Sequence, residues 1–532
     1  MFRFLSLLLV VFIFSCVNDP SNTDPAIDMP NAAQVSYQKP HRPQYHFTPP
    51  AAWMNDPNGM VYLDGEYHLF YQHYPDSTVW GPMHWGHAVS PDLVHWAHLP
   101  IALYPDSLGY IFSGSAVVDH QNTSGFGQNG QPPLIAIFTH HDPVGERSGR
   151  DDFQFQSIAY STDKGRTWTK YAGNPVIPNT IPIRDFRDPK VIWDTARAEW
   201  LMVFAAKDRV QFWTSPNLKD WTYKSDFGDD VGAHGGVWEC PDIFPLSVEG
   251  SDAQKWVLLS SINPGGPNGG SATQYFVGEW NGERFVLDPT FRKAVPKGEA
   301  VWLDYGRDNY AGVTWSDAPD DRRIFLGWMS NWDYAQVVPT EAWRSAMTLP
   351  RTLTLHRSDA GYRLHSAPVK ELERLRGPSV GLGKRTVRDT LDLNLQLSAA
   401  LPLLEADLVV ELPNAPTTFA IELSNDAGDM YRIGYSSANN SYFSDRRRAG
   451  AAGFSEKFAA NVHQAPRTER SATVPLHLFF DMSSVELFTK GDVALTDIYF
   501  PQQPYNRIRM VVDGAPVTLA QASFFPLESI WD

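Results

Sequence analysis

The sequence holds only two cysteines in 532 residues, Cys16 and Cys240, so no disulfide framework braces the chain and packing has to supply its stability. An excess of basic charge is missing as well. Lys and Arg total 44 against 60 Asp and Glu, a net charge of −16, which argues against a nucleic-acid backbone or an anionic lipid surface as partner. The apolar stretch from Phe4 to Phe14 is too short to cross a bilayer as a helix, and no other segment is long and apolar enough. From about His41 to Arg351 almost nothing has helical period. Metal-ligand spacing is also lacking: among His84, His87, His95, His98, His140 and His141 no zinc pattern occurs, and residues three apart on a strand face opposite ways. The run Ile262 to Gly270 lacks the Lys-Ser/Thr ending of a phosphate loop. No Gly-x-Ser-x-Gly elbow is found, and Ser113 has no evident base beside it. Neither a metal nor a cofactor is expected.

What is present begins with Arg3 and that apolar stretch, which reads as an export signal. Ser15 and Cys16 follow, and the junction resembles a bacterial lipoprotein signal over residues 1–16, with Cys16 as the acylated residue. Ordinary secretion with an incidental cysteine is the alternative. Either way the protein is expected outside the cytoplasm, touching a membrane only through such an anchor. Residues 17–40 are expected to form a flexible tether, the first part of which is rich in Asn, Asp, Pro and Ser without periodicity.

Aromatic residues make up 13% of the chain, and they fall in short apolar runs bounded by Gly, Pro, Asn and Asp, such as Tyr67 to Tyr71, Leu134 to Phe138 and Trp200 to Phe204. These predict strands, hence an all-β fold. Three segments look alike: Ser90 to Trp96, Ser161 to Trp168 and Ser215 to Trp221. Each has a Ser, an Asp or Asn two residues on, and a closing Trp. Such a unit closes a hairpin through its Asx side chain and packs the Trp beneath, and its recurrence points to a β-propeller. Three copies leave the number of blades open and also fit a two-sheet sandwich with decorated hairpins. The propeller is expected over 41–352. A linker with a short helix, carried by PVKELERLR at Pro368 to Arg376, is expected over 353–378. Runs including Leu391 to Leu397, Ala406 to Leu412 and Leu476 to Phe480 predict a β-sandwich over 379–532.

Three carboxylates have unusual surroundings. Asp56 lies in WMNDPNG, where Pro57 and Gly59 predict a turn directly after a bulky pair; a plain surface turn is the competing reading. Asp188 lies in RDFRDP at the entrance to a predicted strand, where the competing reading is an exposed ion-pair ladder. Glu239 sits between Trp238 and Cys240, and apolar neighbours would raise its pKa as a general acid requires, unless it is a buried Glu paired with an arginine. One ionised and one protonated carboxylate are the equipment for cleaving an acetal.

Together WMNDPNG, the RDP at Arg187 to Pro189 and the Glu239–Cys240 pair resemble, in that order and separation, the signature motifs of glycoside hydrolase family 32, the β-fructofuranosidases. FSGS at Phe112 to Ser115, Tyr71–Gln72, Trp80 to Trp96, Thr273 to Trp280 and Gly327 to Ala335 extend the likeness over about residues 41 to 530. The resemblance implies a five-bladed propeller followed by a β-sandwich. It implies Asp56 as nucleophile, Glu239 as general acid and base, and Asp188, with Arg187 beside it, as the group that binds sugar hydroxyls and stabilises the transition state. Asn55, Gln72, Trp80, Phe112 and Ser113 match residues lining a terminal-fructose site, and Tyr310 and Trp332 are looser matches. Within the family the chain looks most like microbial exo-levanases and exo-inulinases. The activity implied is retaining release of fructose from the non-reducing end of β-fructans, with sucrose as a further substrate. An invertase acting mainly on sucrose is the alternative. A sialidase, suggested by the Asp-box pattern of Ser161 to Trp168, and a non-catalytic surface glycan-binding lipoprotein are the readings from outside that activity.

Overall fold

Short apolar and aromatic runs, many of them buried along their whole length, form mainly antiparallel sheets in the computed structural model, which describes residues 37–531 apart from 296–297, 359–360, 398–400 and 492. Cys16 and the expected tether as far as residue 36 lie outside the described residues. The last of that tether is packed: Tyr37 stacks on Trp531 with centroids 4.1 Å apart and bonds His98 through its hydroxyl.

Five sheets follow one another along the chain. The first runs through β1 (Ala52–Leu63), β2 (Glu66–Tyr74), β3 (His84–Ser90) and β4 (Ala97–Leu103). The second holds β5 (Tyr110–Val118), β6 (Leu134–His141), β7 (Gln154–Ser161) and β8 (Thr169–Lys170), and the third β9 (Phe186–Asp194), β10 (Glu199–Ala206), β11 (Val210–Ser215) and β12 (Thr222–Phe227). The fourth holds β13 (Val237–Ser247), β14 (Gln254–Asn263), β15 (Ala272–Trp280) and β16 (Phe285–Leu287). In the fifth, β17 (Tyr310–Thr314) and β18 (Ile324–Met329) are joined, after the short β19 (Trp343–Arg344) and β20 (Ala346–Met347), by β21 (Arg351–Ser358) and β22 (Gly361–Pro368). The first strands of neighbouring sheets touch in succession, β1 with β5, β5 with β9, β9 with β13 and β13 with β17, and β17 touches β1 again. Sheet one also receives β19 as a parallel neighbour of β1, with Ala52 opposite Trp343.

The three look-alike segments occupy one structural place, the connection from third to fourth strand of the first three sheets. Asp92 accepts from the Val94 and His95 amides, Asp163 from Thr167, and Asn217 from Lys219 and Asp220. Asn281 does the same work in the fourth sheet, accepting from Glu283 and Arg284, without the Ser or Trp that would reveal it in the sequence.

The stretch expected to be a linker over 353–378 holds β21 and β22, which complete the fifth sheet; the helix is a 3-10 turn at Lys370–Leu375. Two further antiparallel sheets, of seven and six strands, follow it. They share one core, to which Leu408, Leu478 and Phe524 contribute from one sheet and Ile421, Ile433 and Met510 from the other. Leu391 to Leu397, expected as one strand, divides into a strand at Thr390–Asp392 and a helical turn at Asn394–Leu397, whose entry Asp392 caps through the Asn394 amide.

A buried polar network joins the two parts. Arg351 donates to Asp304 at 2.8 Å and to Glu486 at 2.6 Å, and His46 bridges Glu486 and Asp481. Burial opposes a charge on His46, yet the two carboxylates hold its pKa up at about 9. Each charge here has its partner, which is the condition for burying charge at tolerable cost.

Candidate active site

The first strand of each of the five sheets is paired along one edge only, save for Ala52, Trp53 and Val61 of β1, and in all five the pairing slips near the strand's start. The slips fall at Asn55–Asp56, Phe112–Ser113, Asp188–Pro189, Cys240–Pro241 and Ala311–Gly312. Bulges of this kind turn side chains out of the regular alternation and aim them at a common point. The local sequence explains them: Asp56, Ser113, Asp188, Cys240 and Ala311 are each followed by proline or glycine. Proline is tolerated because the inner edge has no ladder to break. Asp188, Cys240 and Ala311 adopt left-handed backbone, with φ of 66°, 43° and 53°, conformations that non-glycine residues rarely take outside functional sites.

WMNDPNG is therefore a bulged strand, not the turn expected of it. Gly59 (φ 51°) closes the motif because a Cβ there would lie 2.7 Å from ring atoms of both Phe70 and Trp85.

The bulges surround a cavity of about 270 Å³. Asp56, Asp188 and Glu239 all reach it, as do Asn55, Gln72, Trp80, Phe112, Ser113, Arg187 and Trp332. Tyr310 is not in the lining. It is almost wholly buried behind Glu239 and donates its hydroxyl to Oε2 of that residue.

Asp56 is held by three donors: Ser113 Oγ at 2.6 Å, Asn55 Nδ2 at 3.1 Å and Cys240 Sγ at 3.5 Å. Asn55 is in turn fixed by Trp53 Nε1 at 2.7 Å. Burial raises the Asp56 pKa, the charge of Glu239 pushes the same way, and the donors pull it back down. Burial also raises Asp188, aided by the charges of Glu239 and Asp56 and opposed by Arg187 and the Cys240 amide, to about 7. Burial and the surrounding carboxylates push the Cys240 thiol well up, so it is a neutral donor rather than a thiolate.

Arg187 ties the group together. It donates to Glu239 Oε1 at 2.8 Å and Asp185 Oδ1 at 2.6 Å, and its Nε lies 3.8 Å from Asp188 Oδ2. Glu239 thus differs from the expectation drawn from its apolar neighbours. Trp238 is buried on the other side of the strand, the bulge turns Cys240 toward Asp56 and Asp188, and the Glu239 carboxylate faces Arg187 and the Tyr310 hydroxyl.

The aromatic wall continues from Trp80 to Phe112, which stacks on His141 at 4.3 Å. His141, Glu146, Phe153, Gln154, Asp185 and Gln336 also line the cavity and were absent from the sequence expectation. Glu146 belongs to a single helical turn, α1 (Pro143–Arg147), capped by Asp142, and pairs with His141 at 3.1 Å. Only Asp185 carried a sequence signal, its place in RDFRDP. Among the described residues no group of His, Cys, Asp and Glu is arranged to hold a metal ion.

The raised Asp188 has a consequence for stability. Its folded pKa lies above the ordinary 3.8, so the native state binds the extra proton between those values, and stability falls as pH rises through that window. Asp188→Asn keeps an acceptor for the Cys240 amide and removes the charge. The variant is expected to gain roughly 2–4 kcal/mol of unfolding free energy near pH 8 and little near pH 4. Urea unfolding at both pH values checks it, and a variant less stable than the parent near pH 8 would refute the electrostatic account.

Residues 46–368 match the family model "Glycosyl hydrolases family 32 N-terminal domain" and residues 371–526 match "Glycosyl hydrolases family 32 C terminal". The chain is 48% identical to a levanase of Bacillus subtilis over 94% of its own length and 72% of the relative's. It is 38% identical to the extracellular exo-inulinase of Aspergillus awamori over 93% of this chain and 96% of that one. The crystal structure of the exo-inulinase from Aspergillus awamori superposes with a TM-score of 0.83 at 36% identity, covering 93% of this chain and 100% of that one. A β-fructofuranosidase from Schwanniomyces occidentalis complexed with fructosyl-erythritol superposes with a TM-score of 0.79 at 33% identity, covering 93% and 99%.

Proposed function

The chain belongs to glycosyl hydrolases family 32 and is a glycoside hydrolase; on that premise we propose that it removes single fructose units from the non-reducing ends of β-fructans, with retention of anomeric configuration. One observation carries this: Asp56, Asp188 and Glu239, from three different sheets, converge with Arg187 on one small cavity. A levanase, exo-inulinases and an invertase among the relatives support a fructosyl substrate.

In this reading Asp56 attacks the anomeric carbon of the terminal fructose while the bond to the leaving sugar breaks, and Glu239 delivers a proton to the departing oxygen. Glu239, now a carboxylate, takes a proton from water. That water attacks the fructosyl ester, freeing fructose and restoring the Asp56 carboxylate and the protonated Glu239. Asp188 binds ring hydroxyls next to the reacting carbon. Ser113, Asn55 and the Cys240 thiol hold the Asp56 oxygens in place, and Arg187 and Tyr310 hold those of Glu239. Trp80, Phe112 and Trp332 offer ring faces to the sugar, while Gln72, whose amide is anchored on the Ile111 carbonyl, adds a polar contact.

The five sheets, with first strands touching in a closed circuit, support a five-bladed propeller that extends to residue 368, past the 352 expected from sequence. The two-sheet part behind it is read as a β-sandwich. We also propose export, consistent with a relative named as extracellular, and acylation at Cys16, which rests on the sequence alone.

The assay uses purified protein with levan, inulin and sucrose, following free fructose and, by NMR, the anomer first released. Fructose as the first product from the polymers, in its β form, is expected. Release of oligosaccharides would overturn the exo reading, an inverted anomer would overturn the mechanism, and turnover of sucrose alone would turn the assignment to an invertase.

A further inference from the structure

The five central strands have two ends, and the site built around Asp56, Asp188 and Glu239 occupies one of them. At the other, the last residues of β5, β9 and β13 and the segment after β17 enclose a second cavity of about 430 Å³, larger than the catalytic one. A polar floor separates the two: Lys190 bridges Asp242 and the Thr314 carbonyl, fully buried.

The chemistry of this cavity is uneven. Trp193, half-buried, forms part of its wall beside Trp200, with ring centroids 5.0 Å apart. Arg323 lies against the Phe244 ring at 5.0 Å and makes no ion pair among the described residues. Its Nε and the Oγ of the buried Ser316 find no hydrogen-bond partner there, although both atoms are shut off from solvent. At the mouth, His120 and Asp317 pair at 3.3 Å, and Asp321 is exposed. The Arg323 Nε and Ser316 Oγ lie behind the cavity surface, and what Arg323 offers the cavity is the rest of its guanidinium, a donor group with no carboxylate partner within ion-pair distance among the described residues.

We propose that this cavity is a second saccharide-binding site, which takes a neutral sugar unit against Trp193 with its hydroxyls shared between the Arg323 guanidinium and the His120–Asp317 pair. Asp317 and Asp321 repel an anion, and the fixed charge of Arg323 repels a metal ion. An uncharged ligand that is both donor and acceptor, with an apolar ring face, matches the groups that face the cavity. That the sugar belongs to a fructan rests on the function proposed above. A site at the opposite end of the same strands would hold a polymer to the enzyme while its terminus is trimmed, and a small substrate would gain nothing from it.

The probe is the trisaccharide 1-kestose, titrated calorimetrically into the full chain carrying Asp56→Ala so that it stays intact. Two sites per chain are expected, and adding Trp193→Ala weakens one of them by about tenfold or more while sparing the other. Asp317→Ala, at an exposed position, is a second variant should Trp193→Ala fold poorly, and the same site is expected to weaken. In chains with Asp56 intact, Trp193→Ala leaves kcat/KM for sucrose unchanged and raises KM for levan. One binding site in the parent, two sites undiminished in both variants, or inorganic phosphate bound in place of sugar would overturn the inference. Hydrolysis with one sugar site fails this inference alone, and two sugar sites without fructose release fails the proposed activity alone.

Discussion

Asp56→Asn is expected to lower kcat for fructose release by on the order of 10⁴-fold or more, with KM changed by no more than a few fold. The amide is nearly the shape of the carboxylate and can still accept from Ser113, so the pocket keeps its form at the loss of the hydrogen bond that Asn55 donates. What it loses is the oxygen nucleophile, and no neighbouring group can substitute. Asp188 is tied to the Cys240 amide at 3.0 Å, and the Cys240 thiol is held neutral. Stability should move the opposite way. Burial raises the Asp56 pKa, so the native state is penalised for ionising this group at neutral pH, and a neutral amide relieves the penalty. Kinetics on sucrose and levan alongside urea unfolding test both halves, with Asp56→Ala guarding against slow deamidation of the asparagine. A variant retaining a tenth of the parental kcat would remove Asp56 from the nucleophile's role.

Glu239→Gln is expected to cost about 10²–10⁴-fold in kcat on natural substrates, the range found for a positioned proton donor. The loss should depend on the leaving group. A β-fructofuranoside with a nitrophenol leaving group departs without protonation, so its first step should proceed at near-parental rate. The second step still lacks its base. A burst of nitrophenol followed by a slow steady state is therefore expected, and mass spectrometry should find a fructosyl group on Asp56. The natural-substrate pH profile should also lose the limb due to the acid. Equal losses on both substrates would mean that Glu239 serves to position Arg187, to which it is bonded at 2.8 Å, rather than to transfer a proton.

The strand pattern and the three carboxylates were legible because both are local. Tyr67 to Tyr71 and Leu134 to Phe138 lie within β2 and β6, and the odd composition around Asp56, Asp188 and Glu239 lies within a few residues of each. The bulges were not legible, since a slip in register belongs to a pair of strands. Their trace is nevertheless in the sequence, as Asp-Pro, Ser-Gly, Asp-Pro, Cys-Pro and Ala-Gly at the head of each central strand. It resembles scattered turn signals until the strands are known to converge. Glu239 shows the opposite failure. Its sequence neighbours suggested an apolar environment, but Trp238 points away from it, the bulge turns Cys240 toward the other two carboxylates, and its surroundings come from Arg187, 52 positions earlier, and Tyr310, 71 later. His141 and Glu146 could not be found at all, because their place at the rim depends on how sheet two meets sheet three.

The pairing of β19 with β1 bears on the order in which the protein comes into being. Ala52 and Trp53, just ahead of Asp56, the nucleophile proposed above, wait for Trp343 and Arg344 before that edge is occupied. Nearly three hundred residues must be synthesised before the loop between them can close, and closure over such a separation is slow compared with forming the hairpins inside it. A nascent chain or a proteolytic fragment ending short of residue 344 carries every acid the chemistry needs yet leaves the strand that presents the first of them unclasped. Fructosidase activity should accordingly arrive all at once, late in biogenesis, and disappear with a single cut in the closing segment.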